Sequence, residues 1–181
     1  MLPIYLYGNP ILRKKAEEID MNYPELQTLI DEMFISMEKA EGVGLAAPQI
    51  GQSIRIFVID TNPFKEVYPD VKELKAVFIN PIIEEEYGEL FTFNEGCLSV
   101  PEIREDVIRK SKIKLTYTNE KGERKTEDFD GLVARIIQHE YDHLEGLIFT
   151  DKLSSIKKMI IKKKLNDIKD GKTKPKYKSK I

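Results

Sequence analysis

The chain has 181 residues, of which 41% are hydrophobic and 33% are charged. This length and composition predict one soluble globular domain with its own core. The single cysteine excludes an intramolecular disulfide, and no apolar run is long enough to span a membrane. No signal peptide is visible after Met1, so we expect a cytoplasmic protein.

The formal net charge of −2 hides a strong asymmetry along the chain. Residues 151–181 carry a net charge of +9, and the preceding part of the chain carries −11. From Gly171 onward, lysines alternate with polar residues and proline, which predicts a disordered basic tail over residues 169–181 behind a single domain over residues 1–168. Such a tail suggests a polyanionic partner.

Hydrophobic periodicity and turn signals predict the following elements in chain order. They are an extended or irregular start (3–19), a helix (24–40), a Gly/Ala-rich turn (42–49), a strand (53–60), a surface loop (61–74), strands at 76–83, 90–93, 107–118 and 124–129, a helix over 130–145, and a last helix over 156–168.

The helix after Asp130 carries the chemistry. It contains His139 and His143, which are the only histidines in the chain, and Glu140 lies between them in the pattern H-E-x-x-H. Residues four apart share one helix face, so both imidazoles can bind one metal ion. Glu140 can then act on a water molecule as a general base, as in metal-assisted hydrolysis.

The apolar pattern of this helix indicates that these polar side chains face the protein interior. At about 100° per residue, His139, His143 and Glu140 project onto or beside the apolar arc. Burying several unpaired polar groups is costly unless they share a partner, and a metal ion would supply one. The alternative is an ordinary core helix whose histidines bind backbone carbonyl groups.

A catalytic site of this kind needs a third protein ligand. Thermolysin-like proteases use a glutamate downstream of the motif, but none follows Glu145. The metzincin pattern places a third histidine where this chain has Phe149. The third ligand is therefore Cys97, an aspartate or an upstream glutamate. Cys97 is the best candidate because a thiolate binds Zn²⁺ and Fe²⁺ strongly.

Three stretches resemble the motifs of the peptide deformylase family, in the same order. They are G-V-G-L-A-A-P-Q (42–49), E-G-C-L-S (95–99) and Q-H-E-Y-D-H-L-E-G (138–146), with N-P-I-L-R-K-K-A (9–16) as a weaker match. The resemblance covers about residues 3–153. It implies an α+β fold, with antiparallel β-sheets packed around a central metal-binding helix and with N-terminal and C-terminal helices.

The resemblance also implies a function. A bacterial enzyme of this family is a metal-dependent hydrolase that removes the N-formyl group from the formyl-methionine of newly synthesised proteins and releases formate. The metal would be Fe²⁺ by preference, with Zn²⁺ or Ni²⁺ as possible substitutes. The implied metal ligands are Cys97, His139 and His143. The implied catalytic residues are Glu140 as general base and acid, with the Gln49 side chain and the Leu98 N–H as oxyanion donors.

Substrate-binding residues follow partly from the resemblance and partly from the helix projection. The resemblance implies that Val43, Gly44 and Gly96 offer backbone hydrogen bonds to the peptide. The projection predicts that Leu132 and Ile136, one turn before the ligands, line the methionine pocket with Arg135 at its rim. Glu95, beside Cys97, would need a cation such as Arg104 or Arg109, although a surface glutamate is an equal alternative.

Two questions stay open from the sequence. The family resemblance suggests that a C-terminal helix can dock on the ribosome, where the lysines of the basic tail would bind RNA phosphates, but the tail would also suit a solvated segment that aids solubility. The competing functions are a metalloprotease and a non-catalytic binding module with a structural Cys-His-His metal site.

Overall fold

The computed structural model describes residues 1–181 and has an α+β fold, as predicted. Its helices are α1 (Leu26–Lys39), α2 (Gly131–Leu144) and α3 (Ser155–Lys169). Its strands are β1 (Ile4–Tyr5), β2 (Gly44–Ala46), β3 (Ile56–Asp60), β4 (Lys75–Cys97), β5 (Val100–Thr118), β6 (Arg124–Asp130) and β7 (Ser179–Lys180). None of the helices has the length and hydropathy needed to cross a membrane.

The main sheet has five antiparallel strands in the order β2-β3-β4-β5-β6. This agrees with the predicted antiparallel architecture, and α2 packs against the sheet through a core that includes Val133, Ala134 and Ile137. A second sheet pairs β1 with β7, and this pair is parallel. The chain termini therefore meet at one edge of the molecule.

Strand β4 is longer than its sequence suggests. The pattern predicts two strands with a break at Pro81 and a solvated acidic stretch after it, whereas the structure has one continuous strand. Its register against β5 shifts between Ile79 and Ile82, where Pro81 cannot donate a backbone hydrogen bond. The acidic stretch stays in the strand because β5 places Lys114 opposite Glu85.

The C-terminal end of helix α2 lies where its sequence predicts. Gly146 adopts a φ of +74°, and the Leu147 N–H donates to the Asp142 carbonyl at 2.9 Å, as in a Schellman motif. Asp130 occupies the N-cap position, but its side chain makes no capping hydrogen bond. The helix start is therefore fixed by its packing and by β6, which leads directly into it.

The C-terminal segment, predicted as a disordered tail over 169–181, follows a defined path in the structure. After α3, which Ser154 caps by accepting from the Lys157 N–H, the chain turns at Gly171 and reaches β7 through a bend at Lys176 and Tyr177. Tyr177 packs against two of the hydrophobic clusters. The structure thus gives packing contacts for this segment, while the division into a domain over residues 1–168 and a basic tail over 169–181 stays a prediction.

We predict that Gly146→Ala destabilises the fold by about 2–4 kcal/mol, because an alanine is strained at positive φ. Its Cβ would also lie 2.7 Å from the Arg13 carbonyl oxygen. Gly131→Ala is a matched control: Gly131 also has a positive φ, of +55°, but a Cβ there meets no atom within 4 Å. Urea unfolding should show the larger loss for Gly146→Ala, and equal losses would contradict the steric explanation.

Candidate metal centre

Three potential metal ligands converge from two elements that are distant in sequence. Cys97 is the last residue of β4, while His139 and His143 lie one turn apart on α2. Their ligand atoms all lie within 4.8 Å of one another. The Cys97 Sγ lies 3.3 Å from the His143 Nε2. The structure therefore places the three residues as the sequence predicts.

Glu95 fixes the orientation of the first histidine. Its Oε2 lies 2.9 Å from the His139 Nδ1, which leaves the other ring nitrogen free to face Cys97 and His143. A carboxylate behind a metal-binding histidine holds the ring in place and increases its basicity. The structure thereby gives Glu95 a positioning role and excludes the alternative of a surface glutamate, since it is only 3% exposed.

The charge on Glu95 is balanced by two buried arginines. Arg109 donates to both carboxylate oxygens, at 2.7 and 2.9 Å, and Arg135 donates to one of them at 2.8 Å. Arg109 also binds Asp142 on α2. Of the two cations that the sequence offered, Arg109 is thus the partner, whereas Arg104 binds Asn94.

The buried groups of the cluster shift one another's pKa values. Burial by itself would raise the pKa of Glu95, but hydrogen bonds from Arg109 and His139 hold it well below its usual range. Burial would likewise lower the pKa of His139, yet hydrogen bonds to Cys97 and Glu95 raise it well above its ordinary value. Burial, together with the positive charges of His139 and Arg109, lowers the pKa of His143 well below its ordinary value, so this imidazole stays neutral, the form that binds a metal ion.

Glu140 is buried beside the ligands and lacks a partner for one oxygen. It is 4% exposed, and its Oε2 accepts no hydrogen bond within the chain. Burial raises the pKa of this carboxyl group to about 7. It packs so closely against Gly44 that any Cβ there would overlap the Glu140 side chain. An orphaned carboxylate oxygen next to three ligands is the arrangement that a metal ion and a water molecule would complete.

Gln49 presents its amide N–H groups to the same site. Its Oε1 accepts from the Ala46 N–H at 2.8 Å, which fixes the orientation of the amide. Its Nε2 then donates to the Ser99 Oγ at 3.1 Å and to the Cys97 Sγ at 3.5 Å. Ser99 is a contact that the sequence analysis did not identify, although it closes the E-G-C-L-S motif.

A cavity of about 610 Å³ opens beside these residues. Val43, Gly44, Gly96, Leu98 and Ile136 are among the residues that line it. So do residues 174–177 of the C-terminal segment, which the sequence analysis placed outside the domain. The signal that could have placed them is the strict alternation of lysine with other residues, since an extended strand with one exposed face has this period.

Two residues predicted for the methionine pocket lie elsewhere than expected. Leu132 faces a second depression, formed with residues 67–72, and does not line the main cavity. Arg135 lines the cavity but is 2% exposed, so it is not at the rim. Its guanidinium group is held inside by Glu95 and by the Val107 carbonyl group.

The donor set fits a divalent transition metal. One thiolate and two imidazoles suit Zn²⁺, Fe²⁺ or Ni²⁺, and three protein ligands leave a position for a water molecule. A closed structural site would need a fourth protein ligand, and the cluster contains only Cys97, His139 and His143. The geometry therefore favours a catalytic metal site over a structural one.

Comparison with known proteins agrees with this geometry. The polypeptide deformylase family profile matches residues 1–159. A peptide deformylase of Christiangramia forsetii is 53% identical, over 98% of this chain and 94% of its own. One of Flavobacterium johnsoniae is 52% identical, over 100% and 96%.

Solved structures show the same relationship. A peptide deformylase of Arabidopsis thaliana superposes with a TM-score of 0.84 at 35% identity, covering 94% of this chain and 92% of that one. A peptide deformylase of Legionella pneumophila gives a TM-score of 0.81 at 39% identity, with 95% and 97% covered. By sequence and by fold, the chain belongs to the polypeptide deformylase family.

Proposed function

We propose that Cys97, His139 and His143 hold the metal ion with which this enzyme removes the N-formyl group from N-terminal formyl-methionine of newly synthesised proteins. The reaction hydrolyses the formyl amide and releases formate. The observation that carries the assignment is the convergence of the three ligand atoms within 4.8 Å, beside a buried and unpartnered Glu140 oxygen. Family membership argues against the metalloprotease and the binding module.

A metal ion held by Cys97, His139 and His143 would supply the Lewis acidity that activates water near neutral pH. We propose Fe²⁺ as the native ion because the resemblance to the family implies it, with Zn²⁺ and Ni²⁺ as substitutes because all three accept a thiolate and two imidazoles. Glu95 supports the metal site from behind by holding the His139 ring, as the 2.9 Å contact indicates.

Glu140 carries the proton transfers in this proposal. Its free Oε2 takes a proton from the attacking water and later delivers it to the amine that leaves as the formyl C–N bond breaks. The close approach of the Gly44 backbone holds the carboxylate in the cavity wall. A larger residue at this position would push the base away from the substrate.

Gln49 and Leu98 are the proposed donors to the formyl oxygen, on which negative charge develops as water attacks. The Gln49 amide is oriented in advance by Ala46, so little reorganisation is needed when the charge appears. The Leu98 N–H belongs to the residue directly after Cys97, which places it beside the metal site. We further propose that the backbone groups of Val43, Gly44 and Gly96, which line the cavity, bind the peptide.

Glu140→Gln and Glu140→Ala should abolish most of the formate release, because neither side chain can accept the proton. General acid–base catalysis contributes about 10²–10⁴-fold, so a loss of this size in kcat is expected. Protein purified without oxygen is loaded with Fe²⁺, Zn²⁺ or Ni²⁺ and supplied with an N-formyl-methionyl peptide. The bound metal is quantified in every variant.

Formate release by the unaltered protein, lost in both variants at full metal occupancy, supports the proposal. Full occupancy without any formate release from the unaltered protein would overturn the substrate assignment. Activity that survives in Glu140→Gln would remove Glu140 from the mechanism. Comparison of the three metals tests the choice of Fe²⁺.

Ile136→Ala should weaken the preference for methionine, because Ile136 lines the cavity and is 5% exposed. Losing a buried side chain of this size costs about 2–3 kcal/mol, so kcat/KM for formyl-methionyl peptides should fall about 30–150-fold relative to formyl-alanyl peptides. Leu132→Ala is the matched variant on the same helix. We expect little change from it because Leu132 lies in the second depression.

Equal losses of methionine preference in the two variants would indicate that Leu132 also lines the methionine pocket. Unchanged methionine preference in both variants would indicate that neither Ile136 nor Leu132 contributes to substrate recognition. Arg135 is left intact in this comparison because it also neutralises Glu95.

We propose that the C-terminal segment also contacts the ribosome, in the bacterial cytoplasm where formyl-methionyl chains emerge. Lys174, Lys176 and Lys178 are exposed and form no ion pair with the chain, so they are free to bind RNA phosphates. Replacing all three with Gln should lower ribosome affinity and reduce the slope of log K against log[salt] by about 2–3.

The control replaces three exposed lysines of β5, Lys110, Lys112 and Lys114, with Gln. These substitutions change the net charge equally but leave the C-terminal segment unaltered. Equal effects from both triple variants would indicate non-specific attraction, and no effect from either would leave the segment as a solvated tail. Substitution is preferable to deletion of 170–181, which would also remove the contacts made by Tyr177.

A further inference from the structure

The C-terminal segment has the pattern of a strand with one exposed face. From Lys172 to Lys180 every second residue is a lysine. All five of these lysines are exposed, whereas Thr173, Pro175 and Tyr177 between them are half-buried. A period of two is what an extended segment adopts when one face lies on the protein. The segment therefore has an inward face as well as a basic outward face.

This segment is held at both of its ends. It follows α3, and beyond Tyr177 it pairs with β1 through hydrogen bonds from the Ile4 N–H to the Lys178 carbonyl at 2.9 Å and from the Leu6 N–H to the Lys180 carbonyl at 2.8 Å. Between these points, residues 174–177 form part of the wall of the main cavity. The inward face thus meets the site described above.

Tyr177 makes the decisive contact. Its hydroxyl group donates to the Leu98 carbonyl at 2.5 Å. The N–H of the same peptide group, which belongs to Ser99, donates to the Cys97 Sγ at 3.4 Å. An amide whose oxygen accepts a hydrogen bond is a stronger N–H donor, so the two bonds reinforce each other. Burial, together with the nearby Cys97, raises the pKa of Tyr177, so the phenol keeps its proton and acts as the donor.

We propose that Tyr177 is a positioning residue of the active site, which acts through the Leu98–Ser99 peptide group on the thiolate ligand and on the cavity wall. Hydrogen bonds to a ligating sulfur reduce its charge and fix its orientation, and they tune how the metal is held. The C-terminal segment is then part of the catalytic centre. This inference rests on the proposed metal site at Cys97, His139 and His143.

Tyr177→Phe tests the proposal because it removes only the hydroxyl group. In the Ni²⁺-loaded protein we expect a shifted thiolate-to-metal charge-transfer absorption and a metal release rate to a chelator that rises about 3–10-fold. This is below the 10–100-fold effect of groups in direct contact with ligands, since Tyr177 acts through one peptide group. With formyl-methionyl peptide, kcat should fall while KM stays within about twofold.

Tyr117→Phe is the matched control. Tyr117 also donates its hydroxyl group to an oxygen acceptor, Glu127, but lies in the core far along β5 and does not line the cavity. A changed spectrum and faster metal release in Tyr177→Phe alone would support the proposal. No change in Tyr177→Phe, or equal changes in both variants, would overturn it.

The spectrum and the metal release rate need no turnover. If the unaltered protein bound metal but released no formate, the proposed function would fail while these two measurements still decided the role of Tyr177. If the unaltered protein bound no metal at this site, both proposals would fall together.

Discussion

The buried carboxylate of Glu95 is the interaction on which the site depends. It joins β4 to β5 through Arg109, and β4 to α2 through Arg135 and His139. Removing one member of such a buried network leaves an uncompensated charge, which costs about 3–5 kcal/mol. The same charges that hold the helix against the sheet also orient the first histidine. Stability and metal binding therefore share one set of contacts.

The helix and the end of β4 bring complementary groups together. One turn of α2 carries the two imidazoles and the Glu140 carboxylate, and the end of β4 carries the Cys97 thiol. Gly44 allows the β2 backbone to approach Glu140, and Gln49 directs its amide into the same space. Glu95 holds the His139 ring and the Ala46 N–H holds the Gln49 amide, so the orientation of these two groups exists before substrate binds.

The C-terminal segment connects this centre to the surface. Residues 174–177, which include two of its exposed lysines, line the cavity, and the Tyr177 hydroxyl group contacts the Leu98 carbonyl. Under the two proposals, this short segment supports catalysis through Tyr177 and brings the enzyme to the ribosome, where its substrate emerges. The alternation of its sequence reflects these two faces, although lysine richness alone suggested disorder.

Local sequence patterns predicted much of the fold. Helices α1, α2 and α3 and the β5–β6 hairpin follow from periodicity, caps and turn residues that act within a few positions. Continuous β4 and the β1–β7 pair could not be predicted in this way. Their backbone bonds are made to strands distant in sequence, and the lysines opposite the acidic stretch of β4 are supplied by β5.

For the site, the sequence by itself determined the chemical groups: two histidines and a glutamate at helical spacing, one thiol, and a family pattern that joins them. Only the tertiary structure decided their partners. In the folded chain Arg109 pairs with Glu95, and Arg135 is buried. Leu132 lies outside the main cavity, and the Tyr177 hydroxyl group donates to the Leu98 carbonyl. The physical reason is that ligand type and helix spacing are local properties, whereas charge compensation and cavity shape depend on segments brought together by folding.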